Sequence, residues 1–448
     1  MKHTFKKGGI HPGSFKTASP DIELLPLPMT ATVLLSQHIG RPANPTVQKG
    51  DKVCRGMVIA ENSAYISASV HAPISGTVAS IDDVVLPNGK NGRAIIIKAA
   101  PEEHEADTAA RNSYWSDTIP AVLSRDLSES LTADEIRTRI ERAGIVGLGG
   151  ATFPSHVKID LKPTQKVDTL IINGCECEPY LRCDDAIMRS CPGYIAEGIE
   201  LIMKAASISR AVVAVEDNKP QAIEAMRGAL DSMHNISVMS LKTKYPQGGE
   251  KQLIEAVTDR RVASGALPVS TGVIVQNVAT AFAVWQAVAT GQPLIERVVT
   301  ITGDIPAEQR RNYIAAIGTP LSDFPFSLPD EARAIVGGPM MGKTAVCLDA
   351  PITKGTSGLT VLSGKGRRPV QPCIRCGACS DVCPMGLDPY LLATYGRLRM
   401  FDEAAKADVA DCIECGSCSW SCPSSRPILD FIRLGKQTIR VAKQRSRK

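Results

Sequence analysis

The sequence predicts a multidomain α/β protein that ends in a small cysteine-rich module. Three observations predict it: the chain has 448 residues, its local pattern changes several times, and eight of its 14 cysteines lie between residues 373 and 422. A chain of this length exceeds one ordinary domain. Hydrophobic residues make up 44% of it and aromatic residues 4%. This balance, with abundant Gly and Pro, suits β and α/β modules better than a helical bundle.

Charge and targeting signals exclude some classes of protein. The net charge of +5 comes largely from residues 431–448, which hold seven basic residues and no acid, so composition gives no case for nucleic-acid binding. The first residues contain no apolar run typical of a secretory signal. We therefore expect reduced cysteines that are available to metals. The uncharged stretch between Arg261 and Glu296 is broken by Pro268 and Gly272 and is expected to be a buried strand and helix, not a membrane span.

The first hundred residues have the pattern of a barrel-sandwich hybrid, the fold of lipoyl carrier domains. Short apolar runs are separated by turn signals such as Ser75-Gly76. In a carrier domain, a lysine at a hairpin tip bears the prosthetic group. Tyr65 stands at that position here, and residues 56–89 contain no lysine. We therefore expect a docking or packing module without a swinging arm.

The middle of the chain changes to alternating strands and helices. Residues 101–131 are polar and acidic and are expected to be a linker. Thr132 and Glu135 form a capping-box signature that opens the first helix. The alternation that follows is typical of an α/β domain. The predicted boundaries are 1–100 for the barrel-sandwich hybrid, 101–131 for the linker, 132–292 for the α/β domain, 293–365 for a small β and α unit of β-grasp type that resembles the soluble-ligand-binding module, 366–428 for the cysteine module, and 429–448 for a basic tail.

Two cysteine runs carry the strongest chemical signal. They are Cys373-x2-Cys376-x2-Cys379-x3-Cys383-Pro384 and Cys412-x2-Cys415-x2-Cys418-x3-Cys422-Pro423. Each has the spacing of bacterial 4Fe–4S proteins, in which the fourth cysteine of a run binds the other cluster. Structural zinc sites instead use separated CxxC pairs that close one tetrahedron. We therefore predict two 4Fe–4S clusters: cluster one on Cys373, Cys376, Cys379 and Cys422, and cluster two on Cys412, Cys415, Cys418 and Cys383.

A relay of two clusters needs an electron donor, and four elements of the α/β domain are candidates. The first is a glycine-rich loop, because closely spaced glycines let backbone N–H groups approach a phosphate or a flat ring. The second carries two acids beyond an apolar strand, at the sheet edge where α/β domains bind ligands. The elements are Gly147-Leu148-Gly149-Gly150-Ala151-Thr152-Phe153-Pro154 with Lys158, Asn173-Gly174-Cys175-Glu176-Cys177-Glu178, Tyr245-Pro246-Gln247-Gly248-Gly249-Glu250, and Gln276-Asn277-Val278-Ala279-Thr280.

In order and spacing these elements resemble the flavin- and NADH-binding subunit of respiratory complex I. With the N-terminal module and the paired cysteine runs, nearly the whole chain resembles the RnfC family, the C subunits of Rnf-type ion-translocating ferredoxin:NAD oxidoreductases. The resemblance implies a complex I-type FMN- and NADH-binding domain. It implies that FMN or its phosphate contacts Gly147, Gly149, Gly150, Lys158, Asn173, Glu176, Gly248, Gly249, Asn277 and Thr280. It also implies that Phe153, Glu178, Tyr245 and Glu250 face the nicotinamide dinucleotide.

Four positions depart from the family motifs. Leu148 stands where the family has Arg, Thr152 where it has Gly, Cys175 where it has Asp, and Gly249 where it has Glu. These departures keep one alternative open, a flavin-free relay or scaffold subunit. A second alternative is a soluble flavin and iron–sulfur reductase of corrinoid cofactors, against which the N-terminal module argues.

The resemblance also implies a function. NADH would deliver two electrons to FMN, and the two clusters would pass them singly towards a partner, with no side chain as nucleophile or general base. The expected partners are the other subunits of a membrane-bound complex and, through it, ferredoxin or flavodoxin. The expected location is the cytoplasmic side of the inner membrane, as a peripheral protein. The basic tail is expected to lie near an anionic membrane surface or an acidic partner, or to be a solvated end.

Overall fold

The computed structural model describes residues 3–118, 130–364 and 368–445. Its strands are β1 Ile22–Leu24, β2 Thr30–Leu34, β3 Asn44–Pro45, β4 Lys52–Val53, β5 Val58–Glu61, β6 Val70–His71, β7 Gly76–Val85, β8 Asn91–Lys98, β9 Thr169–Asn173, β10 Ala211–Glu216, β11 Ile236–Leu241, β12 Val273–Asn277, β13 Glu296–Gly303, β14 Arg311–Ala316, β15 Arg333–Val336, β16 Lys343–Thr344 and β17 Gly358–Leu362. Its helices are α1 Pro101–Thr118, α2 Ala133–Arg142, α3 Ser155–Ile159, α4 Cys183–Ser190, α5 Pro192–Ala206, α6 Pro220–Leu230, α7 Glu250–Thr258, α8 Val278–Trp285, α9 Ala378–Asp381, α10 Pro389–Leu398, α11 Phe401–Lys406, α12 Ser417–Trp420 and α13 Ile428–Arg445.

The N-terminal module is built from two small antiparallel sheets around a shared core. One sheet has the order β2-β8-β7-β4 and the other β3-β5-β6. Ile59, Val78 and Ile95 are fully buried between them. The hairpin tip that would carry a lysine in a carrier domain touches the α/β domain, where the Tyr65 hydroxyl donates to Asp160 Oδ2 at 3.0 Å. This is the predicted barrel-sandwich hybrid, with its tip hydrogen-bonded to the neighbouring domain.

Residues 3–24, at the start of the predicted 1–100 module, make contacts outside its two sheets. Phe5 and Ile10 are buried, and Ile10 pairs with Tyr245 of the α/β domain. Strand β1 then pairs in parallel with β14, in the mixed six-stranded sheet of the third domain. The apolar side chains of this segment are buried against the α/β domain and the third domain, outside the core of the small barrel.

Residues 101–118 of the predicted linker form helix α1. Arg111 on this helix is 1% exposed. Its guanidinium donates to the Glu296 carboxylate and, at 2.7 Å each, to the carbonyls of Leu25 and Ile314. Trp115 Nε1 donates to the same Glu296 carboxylate at 3.1 Å. The polar composition that indicated a linker reflects a helix whose buried face is anchored by an ion pair, and residues 119–129 lie outside the described residues.

The α/β domain has a four-stranded parallel sheet of order β11-β10-β9-β12 with helices packed against it. Its first helix begins with the predicted capping box: the Thr132 hydroxyl accepts from the Glu135 N–H at 3.2 Å, and the Glu135 carboxylate accepts from the Thr132 N–H at 2.7 Å. The uncharged stretch forms the buried strand β12 and the buried helix α8, as predicted. Among the described residues, no helix is both long and apolar enough to cross a membrane.

The sheet of the third domain, called the third sheet, is mixed and six-stranded, with the order β1-β14-β13-β17-β15-β16. Its core contains Val299, Ile301 and Leu359, all fully buried. The helical elements between β13 and β17 are two three-residue 3-10 turns, so the helical part of the predicted β and α unit is small. The loop of residues 337–342, between β15 and β16, reaches back to the α/β domain.

The cysteine module is helical, and the predicted basic tail is part of it. Helix α13 begins at Ile428 and continues to Arg445. It packs closely on α10: a Cβ added to Gly396 would lie 2.1 Å from the Phe431 carbonyl oxygen. Ile432 on α13 is 1% exposed. The boundary predicted at residue 428 therefore falls inside the module, because the apolar residues that follow it complete its core.

Candidate functional site

The candidate cofactor site lies at the carboxyl edge of the parallel sheet, where β9 and β12 are neighbours. Their last residues, Asn173 and Asn277, are register partners. Asn277 Nδ2 donates to the Asn173 carbonyl at 3.3 Å and to Asp184 Oδ2 at 2.7 Å. Asn173 Nδ2 donates to the Gly248 carbonyl at 3.0 Å. Three of the four sequence elements therefore meet at this edge, where α/β sheets bind their ligands.

The glycine-rich loop is held against this edge by its backbone. The Gly147 N–H donates to the Phe153 carbonyl at 2.9 Å and closes the loop, with the Phe153 side chain half-buried. The Leu148 N–H donates to Thr280 Oγ1 at 2.9 Å. The loop tip, residues 149–151, is exposed. Since a Cβ added to Gly150 would meet nothing within 4 Å, a flat ring or a phosphate can reach the backbone there.

Two predicted site residues form an ion pair near this loop. Lys158 Nζ lies 2.7 Å from Glu250 Oε1, and the two side chains are 26% and 39% exposed. Gly248 lies beside the site, where an added Cβ would be 3.2 Å from Cys177 Sγ. Gly249 precedes helix α7 with an ordinary φ of −63°, and an added Cβ would lie 2.6 Å from Gln252 Oε1. The donors and open space fit a phosphate-bearing flavin, while a larger residue at 249 would require Gln252 to move.

The two acids after β9 have different surroundings. Glu176 caps helix α4: its carboxylate accepts from the N–H groups of Asp184 at 2.7 Å and Asp185 at 3.4 Å. Lys16 Nζ lies 3.7 Å from the same carboxylate. Burial, and next the charge of Glu176, raise the pKa of Asp184 to about 7. The Glu176 carboxylate is thus already hydrogen-bonded and ion-paired within the protein.

Glu178 contacts the loop of residues 337–342 from the third sheet. Its carboxylate accepts from the Met340 N–H at 3.1 Å and from the Met341 N–H at 2.7 Å. Burial raises the pKa of Glu178 to about 7, although these two hydrogen bonds oppose the shift. A Cβ added to Gly338 would lie 2.3 Å from Glu178 Oε2, so this loop can approach the acid only with glycine at that position.

Tyr245, expected to face the nicotinamide, lies at the contact with the cysteine module. It is 2% exposed, and its hydroxyl donates to the Cys415 carbonyl at 2.7 Å. Tyr245 is therefore buried between two domains, and its contact with a dinucleotide stays a prediction. Its apolar ring and its single hydroxyl group are both accommodated by this interface.

The cysteines line two cavities, each with members of both runs. The cluster-one cavity is lined by Cys373, Cys376, Cys379 and Cys422, and the cluster-two cavity by Cys383, Cys412, Cys415 and Cys418. Both groupings match the crossed assignment predicted from the spacing. Gly377 and Gly416 precede the short helices α9 and α12 with φ of 80° and 79°, which favour glycine. Each set of four cysteines thus lines a single cavity, as the ligands of one 4Fe–4S cluster would.

Sequence reasoning missed several residues that hold the site together. Lys16 donates to the carbonyls of Glu176 at 2.9 Å and Glu178 at 3.1 Å, and Lys219 donates to the Cys175 carbonyl. Arg297 Nη2 donates to the Leu148 carbonyl at 3.5 Å. No motif singled out these three basic residues. The glycines around Met340 indicated a loop, but the sequence did not indicate which domain that loop contacts.

Family models match three parts of the chain. Residues 3–102 match the RnfC barrel sandwich hybrid domain, residues 140–286 the Nuo51 FMN-binding domain, and residues 365–423 the 4Fe-4S dicluster domain. The described fold and the two cysteine cavities agree with these matches.

Solved structures share the fold over much of the chain. An NAD+-reducing [NiFe]-hydrogenase in the H2-reduced state is 16% identical, with a TM-score of 0.51 over 83% of this chain and 74% of that one. The same kind of hydrogenase in the air-oxidised state is 20% identical, with a TM-score of 0.50 over 66% of this chain and 58% of that one. At these identities the likeness concerns the fold alone.

Curated relatives match over nearly the full length. The C subunit of the proton-translocating ferredoxin:NAD(+) oxidoreductase complex of Clostridium ljungdahlii is 42% identical over 98% of this chain and 95% of its own. The C subunit of the Na(+)-translocating ferredoxin:NAD(+) oxidoreductase complex of Acetobacterium woodii is 40% identical over 98% of both. The C subunit of the ion-translocating oxidoreductase complex of Rhodobacter capsulatus is 39% identical over 86% of this chain and 74% of its own. The chain belongs to the family formed by the C subunits of ion-translocating ferredoxin:NAD(+) oxidoreductase complexes.

Proposed function

We propose that this chain is the NADH-facing electron-transfer subunit of such a complex, and that electrons move between the flavin site, cluster two and cluster one in that order. The observation that carries the order is the contact between the domains. Tyr245, in the segment that supplies Gly248 to the flavin site, reaches Cys415 of the cluster-two cavity. Cluster two is thus the nearer neighbour of the flavin site.

Burial supports the same order. Cys383, Cys415 and Cys418 of the cluster-two cavity are buried, whereas Cys376 of the cluster-one cavity is exposed. A buried cluster beside the flavin site and a second one near the surface form a path that begins inside the protein and ends where a partner can dock.

The residues of the site have separate tasks in this proposal. Bound FMN would supply the exchange between the two-electron chemistry of NADH and the one-electron chemistry of the clusters. The exposed backbone of residues 149–151 and Lys158 would hold its phosphate. Asn173, Asn277 and Thr280 fix the loops around it. Glu178 and the loop that it anchors would form the wall at the nicotinamide end, with Glu250 and Phe153 nearby.

The surface around cluster one is suited to docking another protein of the complex. Val370 and Ile374 are 61% and 68% exposed, next to the exposed Arg375. We propose that this surface faces the subunit that exchanges electrons with ferredoxin or flavodoxin. We also propose that the protein lies peripherally at the cytoplasmic side of the membrane.

The first test is anaerobic purification of the full chain, followed by iron, sulfide and FMN assays and spectra before and after NADH. About eight irons per chain with FMN, bleached by NADH, is the expected result, since each 4Fe–4S cluster holds four irons. About eight irons with no flavin and no response, even after FMN is added, would leave a flavin-free relay and overturn the proposal.

A further inference from the structure

The contact between the α/β domain and the cysteine module is a small apolar cluster centred on one tyrosine. Ile10, Tyr245 and Cys415 are buried together there, and Cys177 and Met340 pack against them. Ile10 and Tyr245 also exchange two backbone hydrogen bonds of 2.9 Å. The cluster joins the N-terminal segment, two flavin-site loops, the loop of residues 337–342 and the cluster-two loop.

We propose that Tyr245 is a positioning residue for electron transfer, which holds cluster two against the flavin site through its ring and through its hydrogen bond to Cys415. The proposal rests on the proposed function for the direction of electron flow. The ring fills the space between Cys177, which follows the flavin-site strand, and Cys415, a predicted cluster ligand. The hydroxyl fixes the Cys415 carbonyl at 2.7 Å and so restricts how that ligand loop can move.

The surroundings of the ring indicate a contact built to exclude water. Met340 belongs to the loop that Glu178 anchors, and its carbonyl oxygen would lie 2.8 Å from a Cβ added to Gly416. The loop therefore lies directly on the cluster-two loop and covers the side of Tyr245. Since electron transfer between centres weakens steeply with their separation, close packing without intervening solvent favours a fast step.

The hydroxyl also has an electrostatic consequence. Its proton lies against the backbone carbonyl oxygen of a predicted cluster ligand, so the O–H dipole offsets part of the negative charge of that oxygen. Hydrogen bonds and solvent access around a 4Fe–4S cluster tune its reduction potential. The reduced cluster carries one more negative charge than the oxidised cluster. Loss of this dipole should therefore lower the potential of cluster two.

Electrons and protons balance across this contact. Oxidation of one NADH to NAD+ releases two electrons and one proton. In this proposal the two electrons and the proton would leave NADH together as a hydride to the bound flavin. The electrons would then cross the Tyr245 contact one at a time to the centre held by the cluster-two cysteines, and the proton would be released at the flavin site. Tyr245 neither gains nor loses a proton or an electron.

The experiment compares Tyr245→Phe, Tyr245→Leu and a control, Tyr313→Phe, in the anaerobically purified full chain. Tyr313 is 6% exposed in the third sheet, in a separate core, so its variant reports the loss of a buried hydroxyl as such. The readouts are iron content, potentiometric titration followed by EPR, and the rate of cluster reduction after mixing with NADH. The titration needs no NADH, so it tests the hydrogen bond even if the proposed function fails.

The expected result is a lower cluster-two potential in Tyr245→Phe with unchanged iron, and no shift in Tyr313→Phe. Tyr245→Leu should show a similar shift and, in addition, at least tenfold slower reduction by NADH. If Tyr245→Leu loses its iron, the potential of cluster two in Tyr245→Phe still tests the proposal. An unchanged potential and an unchanged EPR signal of cluster two in Tyr245→Phe would overturn the proposal.

Discussion

At the scale of single residues, the polar groups of the flavin site hold one another as well as offering contacts to a ligand. Asn277 Oδ1 caps helix α8 by accepting from the Ala279 N–H at 2.9 Å, while its Nδ2 group bonds to Asp184 and Asn173. Thr280 holds the glycine loop through the Leu148 N–H. The loops are therefore preorganised by the same residues that the family resemblance assigns to the cofactor, which limits the ordering cost of binding.

Three of the four departures from the family motifs have distinct surroundings in the structure. Leu148 is 4% exposed, so its side chain belongs to the core and only its backbone contributes to the loop. Thr152 has a φ of 52° in the left-handed region, where a β-branched residue is strained and the family glycine is not. Cys175 is fully buried against the Ala214 carbonyl. These features could not be read from the sequence, because each depends on which side of its backbone faces the core.

Glu178→Gln tests the proposal that Glu178 and the loop that it anchors form the wall at the nicotinamide end. The amide keeps one acceptor oxygen, so one of the N–H groups of Met340 and Met341 loses its partner, at a cost of about 1–3 kcal/mol. The loop should loosen, and the KM for NADH should rise roughly tenfold, since about 1.4 kcal/mol corresponds to that factor. Steady-state kinetics with NADH and FMN content measured on the same sample check this.

The matched control for that variant is Glu308→Gln, because Glu308 is exposed in a turn of the third sheet. Its KM should equal that of the parent protein. An unaltered KM and unaltered flavin reduction in Glu178→Gln would remove Glu178 from the dinucleotide site.

At the scale of secondary-structure elements, the sequence predicted features that depend on neighbouring residues, but it did not predict contacts between distant residues. Thr132 and Glu135 are three residues apart, so the capping box was readable, as were the cysteine runs with their glycine turns. Helix α1 was missed because its anchor, Glu296, lies 185 residues from Arg111. The contact between Tyr245 and Cys415 was not predicted either, because the two residues are 170 positions apart. Periodicity and spacing describe an element, whereas its partners depend on tertiary packing.

The crossed ligand sets give a prediction about the elements that bear the two runs. Cys422→Ser removes a ligand from cluster one, although it belongs to the second run, and Cys383→Ser removes one from cluster two. The exposed cluster-one cavity should lose or convert its cluster in Cys422→Ser, while the EPR signal of cluster two persists. The two variants should be complementary in iron content and EPR spectra. Loss of the signal of cluster two in Cys422→Ser, with that of cluster one retained, would contradict the crossed assignment.

At the scale of the whole molecule, one buried lysine joins three domains. Lys354 follows the third sheet's core residue Ile352, and its Nζ donates to the Ser69 carbonyl of the barrel at 2.8 Å and to the Gly144 carbonyl of the α/β domain at 2.7 Å. The Lys354 carbonyl also accepts from Arg297, whose other guanidinium nitrogen reaches Leu148 in the glycine loop. The position of the flavin-site loop is thus coupled to the packing of all three domains.

This arrangement predicts a pH dependence of stability. Burial lowers the pKa of Lys354 to about 7, from an ordinary value of 10.5. Between these two values the unfolded chain binds the proton and the folded chain does not, so the free energy of unfolding should rise with pH. The rise is at most roughly 1.4 kcal/mol per pH unit. In Lys354→Met this contribution disappears, and two carbonyls lose their donor.

Anaerobic thermal unfolding of the full chain between pH 7 and 9.5 checks the prediction. The stability of the parent protein relative to Lys354→Met should increase steadily over this range, because only the parent carries the titrating lysine. Lys343→Met, at an exposed position on β16, provides the control and should follow the parent at every pH. Parallel curves for the parent protein and Lys354→Met would mean that the lysine stays charged in its buried position. The carbonyls of Ser69 and Gly144 would then have to stabilise an ammonium group without a carboxylate, which is a more costly way to hold the domains together.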